Sequence, residues 1–432
     1  MRAYMQTHAT ASRLEFQMKR AVLHVVMALL ASGVSGLSQA AELVNAFDLA
    51  LRNDRAFLNA QAEERLGQLD ANRAQLSYLP TLFMEQGRSA FERSNRTTVQ
   101  AIQPLVDVDK YATFKESPIR AAYAQATLGV KEIDLSKRLY VNYSSLVRSN
   151  SLRKLALLEA QALDRQVQRA QRRFDLGYSS VMDITLAKVQ HSQAMARYQS
   201  LQNDIQLARQ KLFSLTGASY EHLQSEPAED LDGAVLSAQA QRDAADDFEH
   251  PMVRQAKEQL QLAESGVLRA KGSYLPQVNL IVRSSHYAGM SDNYQGVQLS
   301  FPTGVSAYGM QASQRAMVDQ ERARRALEEV QEQLRLERES TELALKVNAQ
   351  ELVFRTSAVK DSEKNVAATE KAYEAGIVKA SDVVSAILAS FDVRRQRLML
   401  LMSMADQQLI NSLNRGVAPR MALEKLSFFF KE

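Results

Sequence analysis

Ser77-Tyr78-Leu79-Pro80 and Ser273-Tyr274-Leu275-Pro276 are one tetrapeptide met twice. Phe174-Asp175-Leu176-Gly177 followed by Asp183 is echoed by Tyr373-Glu374-Ala375-Gly376 followed by Asp382. The offsets between the copies are 196 and 199 residues. A third landmark, Leu215-Thr216-Gly217 against Asn414-Arg415-Gly416, keeps the same order. A single tetrapeptide can recur by chance, but three landmarks in one order at nearly one offset imply a unit of about 170 residues present twice.

Each copy reads alike. A helix of roughly 30 residues ends at the Tyr-Leu-Pro, because the residue before Pro80 or Pro276 is pushed out of the helical region. A short strand-like section follows, Thr81 to Val106 in the first copy and Gln277 to Phe301 in the second. Val278, Leu280 and Val282 share one face there, and Val297, Leu299 and Phe301 oppose Gln298 and Ser300. The first copy alternates less well. A long helical run comes next, about Ala121 to Phe174 and about Ser306 to Tyr373, then a sharp turn at Gly177 or Gly376 and a returning helix of roughly 35 residues.

In the first returning helix Ile184, Ala187, His191, Ala194, Tyr198, Leu201, Ile205, Ala208, Leu212 and Leu215 are spaced 3, 4, 3, 4, a coiled-coil seam for one neighbour. In the second the apolar residues form two interleaved stripes. One runs through Ile387, Phe391, Leu398 and Leu401, the other through Val383, Ala386, Val393, Leu400 and Met404. Two stripes suit a helix packed between two neighbours, as in a cylinder wall.

Composition agrees with few, long elements: 432 residues hold only 16 Gly and 8 Pro. The absence of cysteine excludes disulfides, thiol nucleophiles, Cys-ligated metals and an N-terminal lipid anchor. A net charge of +4, with both signs interspersed, supplies no segregated basic face for nucleic acid. Lys19 and Arg20 precede an apolar run from Ala21 to Ala31, and Ser38-Gln39-Ala40 has the small-x-small form of a signal-peptidase site, with Met18 the expected initiator. The expected division is an upstream extension and targeting segment over 1–40, a first repeat over 41–217, a linker over 218–250, a second repeat over 251–417 and a C-terminal segment over 418–432.

The duplicated order of helix, Tyr-Leu-Pro, two strands, long helix, Arg-x-Phe-x-x-Gly-x-x-x-x-x-Asp turn and Leu-Thr-Gly ending resembles the TolC-type outer-membrane factors of Gram-negative bacteria, over nearly the whole mature chain. Gln103-Pro104-Leu105-Val106-Asp107 with Lys110-Tyr111-Ala112 resembles the type I secretion branch more than drug efflux. The resemblance implies a mainly α chain with a small β part. Duplicated long-helix hairpins form a periplasmic α-barrel tunnel, and four strands per chain contribute to a twelve-stranded trimeric outer-membrane β-barrel. Arithmetic agrees that oligomerisation is needed, since membrane barrels take about eight strands or more and open edges are not tolerated in lipid. The number three comes from the resemblance alone.

By the same resemblance the chain is the passive exit duct of a tripartite exporter. Its implied partners are a periplasmic adaptor, an inner-membrane transporter of ABC or RND type, outer-membrane lipid and two further copies of itself. The alternative is a periplasmic adaptor, which has one coiled-coil hairpin where this chain has two. The linker, with Glu226, Glu229, Asp230, Asp232, Asp243, Asp246, Asp247 and Glu249, and the C-terminal Phe428-Phe429-Phe430 are implied to belong to a belt around the tunnel. For the linker this is a solvated segment rather than a cation site, and the phenylalanines lie after the last helix and not in a strand.

No catalytic residue, cofactor or metal is expected. His191, His222, His250 and His286 lack metal spacing, and no phosphate loop is present. The resemblance implies a periplasmic gate at the turns, with Tyr373 on the inner coil, Asp183 its acceptor on the neighbouring helix turn, and Asp382 a ring carboxylate. Val378 and Ser385 stand where a basic latch residue and a second acidic ring are found in the best-known member, implying a looser, less cation-selective gate. Asp183 is also placed to cap its helix through Ser180-x-x-Asp183, whereas Lys379 replaces that serine in the second copy, so capping is expected to explain the two aspartates unequally.

Overall fold

The computed structural model describes residues 38–88, 95–220, 226–227, 249–272, 275–287, 289–300, 307–426 and 429–431. The targeting segment therefore lies outside the described residues except for Ser38-Gln39-Ala40, which open the first helix; Tyr274, Phe301, Phe428 and most of the acidic linker also lie outside.

In place of one entry helix there are two, α1 (Ser38–Asn53) and α2 (Arg55–Gln75). They part at Asp54, whose Oδ1 accepts from the Phe57 N–H at 2.8 Å and whose carboxylate takes Arg138 at 3.0 Å. Burial alone would raise the Asp54 pKa, but the Arg138 hydrogen bond and the Phe57 N–H outweigh it and hold the carboxyl below its usual range. A local cap met by a distant arginine thus divides the single entry helix expected from the sequence.

The long helix α3 (Val108–Asp175) has 68 residues, about 100 Å at 1.5 Å per residue, and starts well before Ala121 because it runs through Pro118. A helical proline forfeits one backbone hydrogen bond. Tertiary contacts offset that loss. Glu116, two residues earlier, is buried and held by Arg120 at 2.7 Å and by Arg269 of α5 (Pro251–Gly272) at 2.6 Å. α3 turns back into α4 (Val181–Thr216), and the second repeat copies the hairpin as α6 (Ala307–Glu374) and α7 (Ala380–Asn414). Every expected seam position of α4 is buried or half-buried, and α4 packs along α3. α7 lies between α6 and α3, which is why it carries two stripes.

Four strands form one antiparallel sheet in the order β1-β2-β4-β5, from β1 (Thr81–Arg88), β2 (Asn95–Val106), β4 (Gln277–Tyr287) and β5 (Met290–Ser300). The pairing of β2 with β4 joins the two repeats. Its register sets Ala101 opposite Val282, and Leu82 opposite Ala101 on the other side, while Val297 faces Leu280 and Leu299 faces Val278. Leu82, Met84, Val99, Leu280, Val282, Val297 and Leu299 therefore share one face, exposed on the single chain, with Leu82 and Met84 each 74% accessible. The opposite face carries Glu85, Thr98, Ser285 and Asp292 in one row, Phe83, Gln100, Arg283 and Tyr294 in the next, and Thr81, Ile102, Ile281 and Gly296 in the one after. The first face is the more apolar of the two, above all in the rows of Val278, Leu280 and Val282, a bias that suits a membrane barrel wall. Among the described residues no helix is long and apolar enough to cross a membrane.

Sheet and helices meet where the landmark motifs clasp each other. Gln103 Nε2 donates to the Tyr78 carbonyl at 2.8 Å, and Asp107 caps α3 by accepting from the Asp109 and Lys110 N–H groups at 2.9 and 3.1 Å. Pro80 and Pro276 stand immediately before β1 and β4, where no ladder donor is needed.

The largest core lies around the waist. It joins Phe47 of α1, Leu139, Tyr143 and Leu146 of α3, Leu212 of α4 and Leu409 and Leu413 of α7 to the C-terminal segment. α8 (Pro419–Glu424) covers it, and Phe429 and Phe430 are buried in it, the Phe430 ring edge-on to Tyr143 at 5.9 Å. Phe430–Lys431 is a two-residue strand, β6, paired with β3 (Glu226–Pro227), so the tail does enter a strand, though not in the four-stranded sheet. Pairing the otherwise unmatched backbone of linker and tail is what allows both to be buried.

His250 is 3% exposed and begins α5, its Nδ1 accepting from the Met252 N–H at 3.1 Å. Burial, with the Lys137 and Arg338 charges, lowers its pKa to about 4. The unfolded imidazole titrates near 6.5, so the stability this neutral side chain supports is complete above that value and is lost as pH falls from about 6.5 towards 4. Thermal unfolding followed across that window should show a decline that His250→Asn, which keeps a cap acceptor without titrating, flattens. An unchanged slope would assign the decline to other groups.

Candidate functional site at the hairpin tips

Both long hairpins end in the same backbone device. In the first, Gly177 N–H bonds the Phe174 carbonyl at 2.9 Å and Tyr178 N–H the Arg173 carbonyl at 2.7 Å; in the second, Gly376 bonds Tyr373 at 3.0 Å and Ile377 bonds Ala372 at 2.9 Å. This is the Schellman closure, which needs a residue at positive φ, and Gly177 and Gly376 sit at 80° and 77°. An alanine at either would be strained by about 1 kcal/mol or more.

The aspartates follow at the third position of each returning helix. Asp183 Oδ2 accepts from the Ser180 N–H at 3.2 Å and the Ser179 hydroxyl at 3.0 Å, and Asp382 Oδ2 accepts from the Lys379 N–H at 3.0 Å. Capping by the aspartate is thus equal in the two copies. The copies differ only in the reciprocal bond, which Ser180 makes to the Met182 N–H at 3.2 Å and a lysine side chain has no acceptor to make. The sequence stretch around Lys379 hides this because the Asp382 half uses only backbone. Asp382 is exposed and Asp183 half-exposed.

Tyr373 is 4% exposed, and its hydroxyl has no hydrogen-bond partner among the described residues; it is not bonded to Asp183. What holds Tyr373 is Arg173 of the other hairpin. The guanidinium stands 4.6 Å from the ring centroid and donates to the Tyr373 carbonyl. Arg169 pairs with Glu370 at 2.9 Å beside it. Val378 packs on the apolar tip cluster of Leu163, Ala187, Val383, Ile387 and Phe391, while Ser385 is exposed. A cleft of about 680 Å³ between the tips is lined by Arg169, Arg172, Arg173, Tyr178, Tyr373 and Glu374. At the outermost points Leu176, Tyr178, Met182 and Ile377 are exposed, the last two each 78%.

Above the tips the hairpins are tied again. Glu159 of α3 is fully buried and receives Arg197 of α4 and Arg395 of α7, the latter at 2.8 Å. Neither this carboxylate nor Arg169 and Arg173 stood out in the sequence. The adjacent Arg172-Arg173 in the last turn of α3, facing Glu370 and Glu374 in the equivalent turn of α6, was the one available signal. Among the described residues no cluster of three or more His, Asp or Glu side chains is placed to hold a metal.

Paired hairpins of this length carrying a four-stranded antiparallel sheet are the arrangement found in solved outer-membrane channels. Residues 46–218 match the family described as outer membrane efflux protein. Outer membrane protein TolC of Salmonella enteritidis is 22% identical, over 92% of this chain and 85% of that protein. The fold is that of solved outer-membrane channels. VceC of Vibrio cholerae superposes with a TM-score of 0.74 at 16% identity, covering 89% of this chain and 96% of that one. Campylobacter jejuni CmeC gives 0.71 at 11%, covering 87% and 86%. The chain is similar to TolC-type outer membrane efflux proteins and shares the fold of solved outer-membrane channels. Two hairpins and a four-stranded sheet leave the adaptor alternative without support, and the relatives are channels rather than enzymes.

Proposed function

We propose that three copies close one twelve-stranded barrel and that the tunnel beneath it is a passive duct, shut at the hairpin tips at rest and opened there by a periplasmic adaptor and an inner-membrane transporter of ABC or RND type. The observation that carries the trimer is the sheet. β1 and β5 have no further strand partner among the described residues, the outward face is apolar and wants lipid, and four strands cannot close alone. Pairing β1 of one copy with β5 of the next removes every edge. The exposed apolar residues at the tips, Leu176, Met182 and Ile377, suit a helical adaptor tip.

The gate reading assigns Asp382 to a ring of three carboxylates in the lumen and sets Tyr373 and Asp183 at the closing tips, Tyr373 held through its ring and carbonyl rather than by a bond from its hydroxyl to Asp183. Asp382 supports it by being exposed at the tip, its carboxylate committed only to local bonds. The protein purified in detergent should size as three chains and conduct cations preferentially in planar bilayers. Asp382→Ala should reduce that preference and weaken block by divalent ions. A folded monomer without detergent would refute the duct, and unchanged selectivity would remove Asp382 from the lumen.

A further inference from the structure

The geometry points to Arg173 as the residue that positions the inner hairpin in the shut state, by clamping the C-terminal end of α6 from the C-terminal end of α3. This rests on the gate reading above and adds to it a contact that neither the tyrosine hydroxyl nor the two aspartates make. α3 and α6 both finish at the tips, so two helix ends, each with carbonyls facing outward and about half a negative charge, are brought together. α3 supplies Arg169, Arg172 and Arg173 there, and α6 supplies Glu370 and Glu374 with Lys371. The attraction between hairpins is therefore directional, cations from one and anions plus carbonyls from the other. Arg173 makes its two contacts with the backbone carbonyl and the ring face of Tyr373, and Arg169 adds Glu370. Because neither Arg173 contact uses the hydroxyl, the clamp survives in Tyr373→Phe. It also supplies cationic closure where Val378 supplies none. Arg173 lies beside Gly376, where a Cβ would stand 3.6 Å from its Nη2.

The test uses full-length protein from outer membranes in planar bilayers with potassium chloride as the only solute. Arg173→Ala should raise the open fraction about tenfold or more at unchanged trimer yield and melting temperature, with Arg173→Gln read in its place if the alanine variant does not assemble. A separate arm places cysteines at 169 and 370 in this cysteine-free chain and joins them with a short bismaleimide. Cross-linking that suppresses openings, together with a raised open fraction in Arg173→Ala or Arg173→Gln, supports the clamp. Cross-linking that suppresses openings while the arginine variants conduct like the parent overturns the clamp and leaves the gate at the tips. Openings unaffected by the cross-link overturn the gate itself.

Discussion

Val282→Arg should remove the protein from outer-membrane fractions, whereas Gln298→Arg should leave it assembled. Val282 lies in the middle of β4 on the apolar face, between Ala101 and Gln295 of the adjoining strands, and is itself exposed on the single chain. A charge on a lipid-facing barrel position costs about 2–4 kcal/mol near the midplane. In a trimer the change is made three times, about 6–12 kcal/mol in all, comparable to the whole stability of a folded domain. Gln298 stands opposite Asn279 on the other face, beside residues that already include Arg283 on that side. Counting heat-resistant oligomer in membrane fractions distinguishes the two. Equal yields would mean that the apolar face does not meet lipid, and with it the barrel reading would fall.

The second large effect concerns Glu159. Its carboxylate is fully buried, while Arg197 and Arg395 are 43% and 29% exposed. Removing the glutamate leaves two cations that water can reach, and should cost about 3 kcal/mol from the lost charge-assisted bonds. Removing both arginines leaves a buried carboxylate with no counter-ion, and should cost about 3–5 kcal/mol. Arg197→Ala with Arg395→Ala is therefore expected to lower the denaturant midpoint more than Glu159→Ala does. The reverse order would show that the carboxylate is hydrated in solution and that the tie between the hairpins is weaker than its burial implies. Since α7 reaches α3 through this carboxylate, either variant should also loosen the second hairpin against the first above the tips.

Much of the architecture is written in short stretches of the chain. The duplicated Tyr-Leu-Pro and the Gly turns mark where each element ends, because proline and positive φ act within a few residues. The 3, 4 spacing from Ile184 to Leu215 predicts one neighbour for α4, and the two stripes of α7 predict two; both kinds of packing are found. Alternation in β4 and β5 names an apolar face before any partner strand is known.

Other features depend on residues far apart in the chain. The apolar residues of β1 and β2 join those of β4 and β5 only through the β2–β4 register, which no local pattern in Asn95–Val106 specifies. Helix α3 runs through Pro118 because α5 supplies Arg269 to its buried Glu116. The entry helix breaks at Asp54, where Arg138 lies 84 residues away in sequence. At the tips the glycine turn was legible twice over, the capping aspartate only in the first copy. Arg173 reaching the Tyr373 carbonyl, a separation of 200 residues, was not. Backbone propensity, capping and turn chemistry are settled within about one helical turn, so the amino-acid sequence by itself determined which elements form and where they stop. Ion pairs and strand register depend on how two repeats dock, and that docking energy is summed over side chains with no common local pattern, so only the tertiary structure decided them.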